Sequence, residues 1–338
     1  MLSLGGSVAV FVLAGVVTVF GAVRLAGLGD ALADRTGWGE AFFGAVFFGL
    51  ITSLSGIVMT GVSAASGQPD LAYSNAVGGI AVQTLAIVAA DAAYRRVNLE
   101  HAAASTQNLL FGCLLIVLLS TALLASFSPD VTVLGVHPVS LVMVALYLGG
   151  LKLIREQKQP MWRAVRTGET RSDTPDDNDQ FADRGNSSLW TEFIAIAALV
   201  MAGGWAVAHA AEGLVTSTGL AAGFVGGVFM GVVNALPETV TAVAAVRRGA
   251  LTLAIAAIIG GNSLDALNLV VGDVAYRAGS LFHTGGNDQL FLTTAALLMT
   301  TVLLGGLLIR QRHGWWRLGF DGILLLGIYA AAAVTLAF

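Results

Sequence analysis

Two acidic residues stand where acids are unfavourable. Glu238 lies in VVNALPETVTAV and Asp265 in GGNSLDALNLVVGD, both inside long apolar stretches. A carboxylate placed in hydrocarbon is costly, so such a group pairs, lines a pathway or meets a cation. Glu238 precedes Arg247 by nine residues, roughly 14 Å of helix at 1.5 Å per residue. Asp265 precedes Arg277 by twelve residues, roughly 18 Å. If the two arginines mark opposite surfaces, both carboxylates reach the middle of a hydrocarbon core about 30 Å thick.

The residues around them suit a cation. Pro237 has no N–H to donate, which frees a carbonyl one turn upstream. Gly260-Gly261 permits an unwound turn, after which Asn262 would cap a new helix with Asp265 three residues on. Broken helices at mid-membrane present carbonyls that coordinate ions. Asn234, Asn262 and Asn268 offer amide oxygens, as hard cations require. Asn234 is four residues before Glu238 and Asn268 three after Asp265, so each shares a helical face with its carboxylate. The competing reading makes both acids buried polar groups bonded to neighbouring helices.

These residues must be held by membrane spans. Only 11% of the 338 residues are charged and 56% are hydrophobic, too few charges to solvate a soluble globule. Apolar runs predict an all-α integral membrane protein with spans at 4–28, 38–65, 69–95, 107–127, 135–156, 188–211, 215–246, 250–277, 288–309 and 317–337. The polar stretch 157–187 reads as a cytoplasmic linker between two five-helix halves, 1–156 and 188–338. With both termini outside, all but one of the 17 Lys and Arg residues face the cytoplasm, Arg277 being the exception. The expected location is the cell membrane, crossed many times. Cys113 lies in an apolar run and reads as packing only.

A shift of 182 residues aligns 42–95 with 224–277 without a gap. Gly67 falls on Gly249, Gly78-Gly79 on Gly260-Gly261, and DAAYR (91–95) on DVAYR (273–277). Five spans separate equivalent positions, and an odd number inverts the second copy. Inverted repeats with sites at mid-membrane are a design of secondary transporters, because exchangeable halves allow access from either side.

ALPETVTAVAAVRRG followed by GGNSLDALNLVVGD resembles the second α-repeat of the calcium:cation antiporter superfamily, the sodium/calcium exchangers. That pattern is roughly T-S-L-P-E, a short link, then G-S-N-x-x-D or G-S-N-x-x-N. The first repeat, ITSLSGIVMTGVSAASGQPDLAYSNAVGGIAVQT, resembles it more loosely. The resemblance implies that Glu238 and Asp265 are the cation-binding, metal-ligating carboxylates. It implies that Thr52 and Ser53 are donors from the first repeat, and that Gln83 stands at an Asn or Asp position. Asn234 and Ala235 replace the Thr-Ser of the second repeat. The first repeat's glutamate is replaced by Gly56 and its proline by Ser55. The resemblance also implies that the first and sixth spans slide across the core.

The expected function is antiport of Ca²⁺ or Na⁺ against Na⁺ or H⁺, with Glu238, Asp265, Asn234, Gln83, Thr52 and Ser53 around the ion and Asn262 and Asn268 behind them. Two carboxylates neutralise one divalent ion, or one Na⁺ with one H⁺. The alternatives are a uniport or channel-like pathway and a non-transporting scaffold. Asp91 and Asp273 each precede an arginine by four residues, which reads as an interfacial ion pair, with a supporting place behind the site as the other reading. His209 and Glu212 share a helical face near the outer end of the sixth span and read as a solvated interface. No phosphate loop, zinc signature or nucleophile triad occurs, so neither an enzyme nor a cofactor is expected, and the partners are inorganic cations and the bilayer, with no nucleic acid.

Overall fold

The computed structural model describes residues 3–36, 50, 52–94, 97–103, 105–156, 184–314 and 318–338. These residues form helices and no strand. The first half contains α1 (Leu4–Thr36), α2 (Leu54–Ala65), α3 (Pro69–Thr84), α4 (Ala86–Ala93), the single turn α5 (Leu99–Ala102), α6 (Thr106–Ala125) and α7 (Pro138–Glu156). The second contains α8 (Asn186–Thr218), α9 (Gly231–Arg248), α10 (Leu251–Asp265), α11 (Asn268–Ala275), the single turn α12 (Leu281–Thr284), α13 (Asn287–Ile309) and α14 (Phe320–Ala337). A wide π turn, Val225–Met230, leads into α9. Among the described residues, nine helices are long and apolar enough to cross a membrane, counting α3 with α4 and α10 with α11 as one span each. The helix α2 is the later part of the predicted span 38–65, whose earlier part lies outside the described residues. The chain is an all-helical, multi-pass membrane protein.

The backbone keeps the 182-residue shift. Gly67 ends α2 at φ 76° and Gly249 ends α9 at φ 92°, a left-handed conformation that favours glycine at both turns. The third helix of each copy is interrupted at the same place. The Leu85 N–H bonds to Val82 O at 2.9 Å and the Leu267 N–H to Leu264 O at 2.8 Å, three-residue turns that tighten the helix. The break expected at Gly260-Gly261 is therefore displaced to Ala266–Leu267, and α10 runs unbroken through the glycines. In hydrocarbon an unwound Gly-Gly would strand backbone donors and acceptors, whereas continued helix satisfies them.

These interrupted helices lie innermost. In the apolar 18-residue stretch of the span Pro69–Ala93, 72% of the residues are buried, and in that of Leu251–Ala275 61%, against 28% in α1, which places α1 at the periphery. Their position depends on glycine. A Cβ on Gly78 would overlap the Gly227 backbone, and one on Gly231 would stand 3.0 Å from the Gly78 carbonyl carbon. The backbones of α3 and of the helix leading into α9 thus touch directly.

The peripheral α1 and α8 run antiparallel. Gly21 meets Val200, Gly203 meets Thr18 and Gly213 meets Ser7. Each turns a glycine to the opposite half: Gly15 to Val233 of α9, and Gly204 to Ser55 O and Val58 of α2. Near the linker the pair is pinned by Glu192, which accepts from Arg24 Nε at 2.7 Å and from Arg184 Nη1.

Gly78→Ala forces a methyl into the backbone crossing and should lower stability by about 1–3 kcal/mol. Gly27→Ala, where no atom lies within 4 Å of the new Cβ, should be neutral or stabilising by up to about 1 kcal/mol. Thermal melting of the two purified variants in one detergent checks this; equal melting temperatures would refute the close crossing.

Candidate cation site

Glu238 lies midway along α9, one residue after Pro237, and Asp265 is the last residue of α10. Both are buried, at 3% and 0% exposure, which removes bulk solvent from either. The two carboxylates act on one another electrostatically. Thr52 and Gln83 face Glu238. Ser53 faces Asp265, whose Oδ1 accepts from Asn268 Nδ2 at 3.3 Å.

Asn234, one turn before Glu238, points between two glycines of the first half. A Cβ on Gly56 would overlap its carboxamide oxygen and stand 2.8 Å from its Cγ; one on Gly79 would stand 2.5 Å from its Nδ2. The carboxamide of the second half thus fills the place that a side chain at position 56 would need. Gly261 lies against Gln83, whose Nε2 stands 3.4 Å from where a Cβ would be. The geometry follows the repeat: Thr52 is equivalent to Asn234, Gly56 to Glu238 and Gln83 to Asp265. Gln83 and Asp265 each stand two residues before the interruption of their helix.

Many of the polar atoms gathered here lack partners. Both Glu238 oxygens, Asp265 Oδ2, both ends of the Gln83 and Asn234 carboxamides and Ser53 Oγ are buried without a hydrogen bond. Buried polar groups are otherwise almost always bonded, so such a concentration demands a ligand or water. Two carboxylates, two carboxamides and the hydroxyls make an oxygen-rich set suited to a hard cation. Among the described residues no group of three His, Cys, Asp or Glu side chains could hold a metal. An ion here would depend on amide and hydroxyl oxygens as much as on charge.

Several residues sit otherwise than their spacing suggests. Asn262 is inside α10 and caps nothing; its Nδ2 donates to Thr84 Oγ1 at 3.0 Å, tying the two interrupted helices together. Asp273 does not form the expected ion pair with Arg277. Its carboxylate accepts from the Leu281 N–H at 3.0 Å, the His137 N–H at 2.8 Å and the Ser140 hydroxyl at 2.7 Å. Three fixed donors satisfy a buried carboxylate better than one long flexible side chain at the interface. Asp91 accepts from the Leu99 N–H at 2.6 Å, eight residues on, as Asp273 does from Leu281. Arg95 lies outside the described residues. Sequence reasoning missed Tyr147, a buried residue of α7 near enough to Asp265 to feel its charge, because a lone tyrosine in an apolar span carries no signal of its neighbour. It also missed Asn75, which fixes Gly56 by donating to its carbonyl at 3.3 Å and to Thr60 Oγ1 at 2.9 Å.

Comparison with solved structures finds the same fold. A crystal structure of the H⁺/Ca²⁺ exchanger CAX matches with a TM-score of 0.71 at 12% identity, over 98% of this chain and 85% of that one. The Ca²⁺/H⁺ antiporter YfkE matches at 0.66 with 14% identity, over 98% and 92%. The sodium-calcium exchanger NCX_Mj matches at 0.56 with 16% identity, over 97% and 98%. No curated protein matches the sequence itself. The family model described as sodium/calcium exchanger protein matches residues 6–153 and 187–338, nearly all of both halves. The chain belongs to the sodium/calcium exchanger protein family.

Proposed function

We propose that this protein is a secondary-active cation antiporter, exchanging Ca²⁺ or Na⁺ against Na⁺ or H⁺ at a mid-membrane site built on Glu238 and Asp265. The observation that carries the reading is the cluster of buried, unpartnered polar atoms from both halves around these two carboxylates. Family membership and the exchangers of the same fold support it.

The site offers at most two negative charges. One divalent ion neutralises both, and so does one monovalent ion with one proton. An entering cation exchanges its hydration oxygens for the carboxylates, Thr52, Ser53 and the carboxamides of Gln83 and Asn234. An empty, fully ionised site leaves two like charges facing one another in a dry interior, which opposes movement without cargo. This coupling makes the carrier an exchanger. Switching of access is assigned to α1 and α8, which lie outside the innermost helices and meet them through Gly15 and Gly204. Small residues leave such a face without interlocking side chains. Both termini are assigned to the outside and the linker 157–187 to the cytoplasm, from the distribution of Lys and Arg.

Purified protein in liposomes should move Ca²⁺ or Na⁺ only when a Na⁺ or proton gradient is imposed. Glu238→Gln and Asp265→Asn each remove a charged ligand, about 2 kcal/mol or more of binding, and should weaken apparent affinity roughly thirtyfold or abolish flux. Flux without counter-ion dependence would favour a channel-like pathway. Absence of any cation flux, with variants as stable as the parent, would defeat the antiport reading.

Gly56→Ala should also impair transport, because its methyl displaces the Asn234 carboxamide; Asn234→Ala in the same chain should relieve the clash while losing the ligand. Melting curves and flux on the single and double variants read the two effects separately. For orientation, a cysteine placed at Ser172 in a Cys113→Ser background should react with a membrane-impermeant maleimide only from the cytoplasmic side. Labelling from outside would invert the topology.

A further inference from the structure

Where α4, α5 and α14 meet, three carboxyl groups are buried that the Glu238–Asp265 site does not use. Asp91 is 3% exposed, Glu100 4% and Asp321 2%, so none can be hydrated as a surface acid would be. Asp91 has a structural task, holding the Leu99 N–H, and Asp273 performs the same task at the equivalent corner of the other half. Glu100 and Asp321 have no such counterpart.

The 182-residue shift maps this corner onto the other one. Leu99 falls on Leu281, Glu100 on Phe282, His137 on Gly319 and Val139 on Asp321. At the other corner the two places hold Phe282, wholly buried, and Val139, packed against the core. The fold therefore accepts apolar residues at both positions. Here both carry acids, and the two carboxyls lie near enough to act on one another. Asp321 lies in the first turn of α14, where the free backbone N–H groups favour the ionised member of such a pair.

The pocket is shaped to these groups. A Cβ on Gly306 or on Gly319 would strike the Asp321 carboxyl. Glu100 Oε2, Asp321 Oδ2 and Asn98 Nδ2 are buried without a partner. Asn98, itself 3% exposed, aims its Nδ2 at the same point beside Gly319 that Asp321 Oδ1 approaches, 3.2 Å from where a Cβ would stand. No ion pair reaches Glu100 or Asp321 among the described residues. Among the described residues, Arg310 Nη2 on an adjoining element donates to His101 O at 2.7 Å, and His101 Nδ1 lies 2.9 Å from Arg310 O. The Arg312 carbonyl accepts from the Asn98 N–H at 3.1 Å.

We propose that Glu100 and Asp321 form a proton-binding site of their own, holding one proton between their two carboxyl groups. Two buried carboxyls in contact cannot both ionise without strong repulsion. Burial, with the nearby charges of Asp321 and Asp91, holds the Glu100 carboxyl well above the usual carboxylate range. Loss of the shared proton sets like charges against one another and drives α5 from α14. That loosens the end of the third span, whose other part, α3, carries Gln83 in its last turn. The proton thus governs how firmly this span is anchored, and rising pH releases it.

Infrared difference spectroscopy of the protein in lipid vesicles tests this directly, without transport. The protonated-carboxyl stretching band should contain a component that disappears as pH rises. Glu100→Gln and Asp321→Asn should each remove that component, and Glu238→Gln should keep it. The double variant Glu100→Phe/Asp321→Val copies the other corner and should fold. Because the folded-state pKa of Glu100 is raised, its contribution to stability is complete at acid pH and is lost as pH rises through that value. The parent should therefore lose melting temperature toward alkaline pH more steeply than the double variant. A band unchanged by Glu100→Gln, or parallel melting profiles of parent and double variant, would overturn the proposal.

Discussion

Nothing inside a bilayer hydrates an oxygen, so a polar atom held there must find its partner within the protein or in a bound species. The backbone obeys this rule by staying helical even through Gly260-Gly261, where glycine would permit an opening. Many threonines obey it as well: Thr84 donates to Ile80 O and Thr239 to Ala235 O, each at 2.8 Å. The rule is broken around Glu238 and Asp265, where unpartnered atoms from both halves collect. The remaining architecture can be understood as the support for that concentration.

The support begins with close approach. Gly78, Gly227 and Gly231 bring two backbones into contact, so the first half's third helix crosses the second half's site helix without side chains between them. That crossing carries Gln83 toward Glu238 and carries Asn234 into the space left by Gly56 and Gly79. The interruptions at Leu85 and Leu267 fall just beyond Gln83 and Asp265, and the Asn262–Thr84 bond fixes one interrupted helix to the other. The anchors of the site are thus polar bonds and glycine contacts more than bulky packing.

Much of this was legible beforehand. The apolar runs marked the spans because a bilayer imposes a minimum length on them, and the shift of 182 residues exposed the duplication. Glu238 and Asp265 stood out because acids are rare in such runs. What stayed hidden depends on contacts between distant segments. Spacing made Asp273 a partner for Arg277, four residues away, but the donors it takes come from Leu281, His137 and Ser140. Glycine at 260–261 suggested an opening because flexibility is visible in sequence, whereas the demand that each amide be satisfied comes from the surroundings. Tyr147 and Asn75 gave no sign because each matters only through what it faces across the helix bundle.

The Asn234 carboxamide in the space beside Gly56 also bears on how such a site changes over generations. The two positions are 178 residues apart, yet neither tolerates every substitution while the other is unchanged. An acid placed at 56 would collide with the amide, and a smaller residue at 234 would leave a void beside Glu238. Residues that share one volume are strongly epistatic. A lineage can therefore trade a carboxylate of one copy for an amide of the other only through an intermediate weaker than either end state. Such a barrier keeps the two copies unequal, so that the pseudo-symmetry of the backbone persists while the symmetry of the side chains does not.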